Sequence, residues 1–237
     1  MAKRVIWICV PSYDGRVTVS LLHALENAAE LSRDPDHPFE YVTFKPVGLR
    51  EVDFARNFCV MQALKDKRME RLQFWDADMN PPPNWWALFG HKADIVSGLA
   101  CGWIGYRELE KRVPQICTVM YHADLRTGKY VTASSDSVLP FQVDAVGAGC
   151  MSVSRALLER MTPPYFKTVK REEDQAIEEG EDMYFCHKAN ALGVRVTIDP
   201  RIVFGHEKTV DLMDINRFVG AVVERGLPGL TEQEDVA

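Results

Sequence analysis

The chain has 237 residues, 46% of them hydrophobic and 26% charged, with a formal net charge of −6. That is the make-up of one soluble α/β domain, or of a core domain with a small appendage. The acidic balance argues against a general nucleic-acid-binding surface, and no stretch approaches the roughly 18 apolar residues of a membrane-spanning helix.

Val5 to Val10 is a continuous apolar run stopped by Pro11, which predicts a central strand covered on both faces. After the turn PSYDGR, Val17, Leu21, Leu22, Leu25, Ala28 and Ala29 recur at helical spacing, and this helix should end near Leu31. Phe39 to Lys45 alternates as a second strand, and Asp53 to Leu64 reads as a helix with Asp53 as its N-cap. The third strand ends in FWDADMNPPP, where Asp76 and Asp78 close an apolar run. A carboxylate is costly to bury unpaired, and Pro81 to Pro83 prevent the strand from simply continuing. The two acids therefore belong to the turn at the C-terminal edge of a sheet, where α/β folds bind ligands.

Asp94 to Leu99 reads as another strand, and two strands should flank a turn at residues 126–128. A further strand is expected at Phe141 to Val146. Helical patterns return at 155–161, 182–192 and 211–225. The result is one domain, with residues 1–99 as its first half, 100–210 as its second, and 211–237 as a terminal helix and tail. The fold class is α/β: a mixed sheet, mostly parallel in its N-terminal half, with antiparallel additions and helices on both faces. Cys9, Cys59, Cys101, Cys117, Cys150 and Cys186 are scattered without metal spacing. They read as free buried thiols of a reducing compartment, which predicts a cytoplasmic protein.

Two carboxylates one residue apart suit a hard cation that keeps several waters, Mg²⁺ or Mn²⁺, with substrate phosphates as further ligands. The loop after the first strand faces the same sheet edge, so Tyr13 could stack on a base and Asp14 could hydrogen-bond it.

Taken in order, VPSYDG, ARN at 55–57, FWDADM at 74–79, VGAGCMSVSRALLERM at 146–161, GEDMYFCHKANALGVRV at 180–196 and VFGH at 203–206 resemble a GT-A-type, Rossmann-like glycosyltransferase of the family-2-like group. The likeness runs from about residue 5 to 206, and it implies that 1–99 is a nucleotide-binding half and 100–210 an acceptor and catalytic half. It implies that Asp78 binds the metal directly, with His206 as a further ligand, and that Asp76 contacts the ribose or reaches the metal through water. It implies that Pro11, Tyr13, Asp14, Arg56 and Asn57 serve the nucleotide, and that Gly147 and Gly149 let backbone approach the donor sugar. Asp182 would be the general base of an inverting transfer, with Glu181 opposing its ionisation and so raising its pKa. The donor would be a nucleotide-sugar, a UDP-sugar first. The acceptor side is thinner. Trp103, read as a loop residue, is the aromatic candidate, and a saccharide, small molecule, protein or modified DNA base would fit. The acid-rich segment 171–182 could act as a lid. The competing readings are a sugar-nucleotide pyrophosphorylase, which should carry a Gly-rich basic loop where PSYDGR stands, a phosphotransferase, and a nucleotide-sugar-binding protein without activity.

Overall fold

The computed structural model describes residues 3–104, 115–124, 126, 130–208 and 219. The first half alternates β1 (Arg4–Cys9), α1 (Val19–Arg33), β2 (Phe39–Phe44), α2 (Val52–Ala63) and β3 (Met69–Phe74). Then come β4 (Met79–Asn80), a 3-10 turn at Trp85–Gly90, β5 (Ile95–Ile104), β6 (Gln115–Thr118), β7 (Met120–Ala123) and β8 (Tyr130–Thr132). After β9 (Phe141–Val143) and β10 (Ala145–Val146), a 3-10 turn at Ala148–Cys150 leads into β11 (Met151–Ser154) and α3 (Arg155–Arg160). The chain continues through β12 (Val169–Lys170), β13 (Ile177–Glu179), α4 (Glu181–Ala191) and β14 (Val196–His206).

The main sheet runs β2-β1-β3-β11-β5-β14-β4, with β6 added to β5 and β9 to β14. Strands β2, β1 and β3 are parallel, as the two crossover helices require. β11 then lies antiparallel between β3 and β5, while β14 runs parallel to β5. The two faces bury different side chains. Ile6, Ile8 and Val10 of the first strand region pack with α1 and with a nest of Trp75, Trp85, Tyr41 and Phe89. Trp75 and Trp85 meet edge to face, their ring centroids 5.1 Å apart. The opposite face carries α2, α3 and α4, through Cys59, Val60, Leu157, Leu158, Phe185 and Cys186 among others. The sheet is therefore mixed with helices on both faces, as expected.

Several local expectations need correction. Strand β11 is not among the expected elements, because four residues give no usable period. The strand expected at Phe141 to Val146 is two short strands that belong to different sheets. Trp103 does not lie in a loop: it is part of β5, paired with Ile116 of β6. Asp53 does not cap α2, whose N-cap is Glu51. Asp53 sits in the first turn and accepts from the Thr168 amide at 2.9 Å instead. Of the described cysteines, Cys9, Cys59, Cys150 and Cys186 are buried free thiols, whereas Cys101 is exposed. The helix expected at 211–225 lies outside the described residues, apart from Val219. No helix among the described residues is long and apolar enough to cross a membrane.

Candidate active site

The turn after β3 is held by backbone. The Asp76 amide donates to the Gly149 carbonyl, the Thr18 amide to Ala77 and the Glu207 amide to Asp78, at 3.2, 3.0 and 2.8 Å. Thr18, the N-cap of α1, also donates its hydroxyl to the Met79 carbonyl and to Asn80. Residues from three separate parts of the chain thus fix where the two acids stand. They open onto a cavity of about 600 Å³ lined by Pro11, Arg16, Thr18, Asp76, Asp78, His206 and Lys208, among others. That volume suits a small-molecule ligand.

The two acids have different partners. β4 pairs antiparallel with the end of β14, putting Met79 opposite His206. His206 Nε2 consequently lies 3.2 Å from Asp78 Oδ1. Lys208 pairs with the other oxygen, Oδ2. Burial works against a charge on Asp78, but His206 and Lys208 outweigh it and hold the carboxyl down to about 2. Asp78 in turn raises the His206 pKa, against the opposing effect of burial.

The His206 ring bears on whether a divalent cation fits here. Its Nδ1 donates to the Cys101 carbonyl at 3.0 Å, so the lone pair of the neutral ring sits on Nε2. That nitrogen is buried, and the group it faces is the Asp78 carboxylate. Once the ring is neutral, an imidazole oriented by a carbonyl and the carboxylate beside it form a donor pair that fits Mn²⁺ or Mg²⁺. Among the described residues no group of three or more His, Cys, Asp or Glu gathers into a full protein cage, so most of the coordination would come from substrate and water.

Asp76 is tied to the other half of the molecule. Arg56, on α2, is almost fully buried and donates from Nη2 to Asp76 Oδ1 at 2.6 Å and from Nη1 to Glu181. Burial opposes its charge, yet Asp76, Glu181 and Asp182 together raise its pKa. Arg56 is an internal bridge from the end of β3 to the start of α4. Asn57 also turns away from the cavity. Its amide donates to the Asp53 and Phe166 carbonyls and accepts from the Tyr165 and Phe166 amides, which uses its full capacity.

Asp182 stands in the first turn of α4, behind Gly180 as N-cap. Its carboxyl is pushed up to about 6, by burial first and by Glu181 second, against the pull of Arg56 and the Met183 amide. Gly147 and Gly149 flank the two carboxylates. A Cβ on Gly149 would come 2.8 Å from Asp76 Oδ2, and one on Gly147 would come 3.7 Å from Asp182 Oδ2. The turn at 147–150 therefore runs between the acid that follows β3 and the acid of α4.

At the outer rim, Tyr13 is 56% exposed and carries the Arg50 guanidinium 5.9 Å from its ring centroid. Asp14 is spent locally, accepting from the Arg16 amide at 2.9 Å in an Asx turn. The sequence pattern missed Lys208, Arg16 and Thr18. A lysine two residues beyond a strand-terminal histidine was the available signal for the first of these.

No family model matches the sequence, and no curated protein is significantly similar to it. Among solved structures the chain is similar to A197 from STIV, with a TM-score of 0.53 and 20% identity over 87% of this chain and 86% of that one. It is also similar to GalNAc-T7 crystallised with UDP, GalNAc and Mn²⁺, at 0.47 and 13%, over 92% of this chain and 47% of that one. A third is a glycosyltransferase involved in glycosylation of the PBCV-1 major capsid, at 0.42 and 10%, over 92% and 99%. At these identities the likeness is one of fold. The fold shared with A197 from STIV is mixed α/β: a parallel N-terminal half continued by antiparallel strands into one mixed sheet.

Proposed function

We propose that the protein transfers a sugar from a nucleotide-sugar donor to an acceptor hydroxyl, with inversion. The observation that carries this reading is Asp182, whose carboxyl is held at about 6 beside the glycine turn that seats Asp76. A carboxylate with a pKa near working pH is suited to take a proton from a hydroxyl. In the step, the acceptor O–H gives its proton to Asp182 as its oxygen forms a bond to the anomeric carbon. The bond from that carbon to the diphosphate breaks, and the nucleoside diphosphate leaves. Asp78 and His206 would hold Mn²⁺ or Mg²⁺, which when bound neutralises charge on the leaving diphosphate. Arg56 keeps Asp76 and the Asp182 helix in register, and Tyr13 offers an exposed ring to the base. UDP-sugars lead as donors. A saccharide, a small molecule, a protein side chain or a modified DNA base is the acceptor class, and Trp103 on β5 is the aromatic candidate to receive it.

The test is thermal shift against UDP-, GDP- and dTDP-sugars, with Mn²⁺ and with EDTA, on the wild type and Asp78→Ala. A rise of midpoint with one nucleotide class that needs the metal and is lost in Asp78→Ala is expected. No shift with any donor under either condition would falsify the donor reading. A shift with free nucleoside triphosphate and sugar phosphate instead would favour the nucleotidyltransferase alternative.

A further inference from the structure

Both oxygens of Asp78 are spoken for. Oδ1 faces His206, and Oδ2 accepts from the Lys208 ammonium. Lys208 reaches it from an anchored position, because the preceding residue, Glu207, donates its amide to the Asp78 carbonyl at 2.8 Å. Its side chain is nevertheless 42% exposed and lines the same cavity as Arg16, Thr18 and Asp76. A carboxylate that neutralises an ammonium at contact distance cannot also bind a divalent cation at full strength, because the two positive charges repel in the same small space. A lysine stem is long and flexible, and an ammonium is a strong partner for phosphate oxygen.

We propose that Lys208 is an exchangeable internal cation of this site. It neutralises Asp78 while the cavity is empty. It moves onto the donor diphosphate when a divalent metal takes the carboxylate. This rests on the nucleotide-sugar reading above and adds a second positive charge to the leaving group beyond the metal. Lys208 competes with the metal in the absence of nucleotide and cooperates with it in the presence of the diphosphate.

The experiment measures Mn²⁺ binding without nucleotide, by electron paramagnetic resonance, and UDP binding at saturating Mn²⁺, by calorimetry. It uses the full chain as wild type, Lys208→Met, Lys208→Arg and Asp78→Ala. Lys208→Met should bind Mn²⁺ alone more tightly, by about fivefold. The same variant should bind UDP at saturating Mn²⁺ roughly tenfold more weakly. Lys208→Arg, which keeps the charge, should stay near the wild type in both. Unchanged or weaker Mn²⁺ binding by Lys208→Met overturns the proposal, as does unchanged UDP binding. A lysine that only supports the fold would weaken both ligands together, which is the opposite sign for the metal. Loss of Mn²⁺ binding in Asp78→Ala identifies the site being read. A wild type that binds neither Mn²⁺ nor UDP refutes the donor reading itself, a distinguishable result that removes the proposal with it.

Discussion

Burial and the neighbouring Glu181 hold the Asp182 carboxyl near 6, and this ties both stability and activity to pH. The ordinary aspartate value is about 3.9. Between roughly pH 4 and 6, therefore, the folded protein keeps a proton that the unfolded chain has released, and stability falls as pH rises through that window. Above the window the cost is complete. Asp182→Asn removes it, so its stability at pH 7.5 should exceed that of the wild type by roughly 2 kcal/mol, with the difference closing by pH 4. Thermal melts across that range check the sign, and a difference that does not change with pH would sink the argument. Transfer activity should fall by about 10²- to 10⁴-fold in the same variant, and the wild-type kcat/KM should rise through pH 6. Gly149 makes a second demand at this scale. Its missing Cβ leaves room for the Asp76 carboxylate, which Arg56 prevents from turning aside. Gly149→Ala should leave the fold intact and weaken UDP binding by roughly tenfold, measured by calorimetry.

At the scale of elements, Arg56 joins α2 to the ends of β3 and α4 through two carboxylates. Replacing it with methionine strands Asp76 and Glu181 beside each other without their cation. Breaking a buried pair in this way costs about 3–5 kcal/mol. Urea unfolding of Arg56→Met should show a loss of that order, and a loss below ~1 kcal/mol would mean that the bridge is not holding the elements together. The sequence carried the long periodic elements well. β1, α1, β2, α2 and β3 could be read because each is long enough to show an apolar run, an alternation or a helical spacing. β4 and β11 could not: they are two and four residues long, and only partner strands distant in sequence make them strands. Local pattern could not show the bonding partners of Arg56 and Asn57. An arginine in the first turns of a helix carries no local sign of an internal partner, and only the tertiary arrangement of Asp76 and Glu181 around it supplies one. The acid-rich segment before α4 forms the small hairpin of β12 and β13, with Ile177 66% exposed and Gln175 at φ 58°. If this hairpin closes over the donor, UDP-sugar with Mn²⁺ should slow tryptic cleavage at Arg171; equal rates with and without donor would exclude a lid.

The whole molecule brings its site together through a fault in its own sheet. β14 pairs with β5 in parallel up to Asp199 opposite Gly98, then resumes with Val203 opposite Leu99, leaving residues 200–202 outside the ladder. A bulge of this kind re-aims the strand beyond it. Here the re-aimed end carries His206 to Met79 and so to Asp78, and Lys208 follows. The distance in sequence between Asp78 and His206 explains why residue pattern could suggest the pairing only by resemblance: no local feature links the two, and the bulge that does is invisible before folding. Gly98 is where the fault is accommodated. A Cβ there would stand 2.4 Å from the Ile202 carbonyl and 2.8 Å from the Phe204 ring, and the carbonyl is backbone that cannot swing away. Gly98→Ala must therefore shift β14, at a cost of about 1–3 kcal/mol or more, as overpacking usually exacts. Because the shift propagates along β14, metal binding at Asp78 and His206 should weaken with it. A control substitution at the end of the 3-10 turn, Gly90→Ala, has no neighbour within 4 Å and should change neither quantity. Measuring urea stability and Mn²⁺ affinity together decides the matter: a loss of stability with unchanged Mn²⁺ binding would show that the bulge supports the sheet without setting the site.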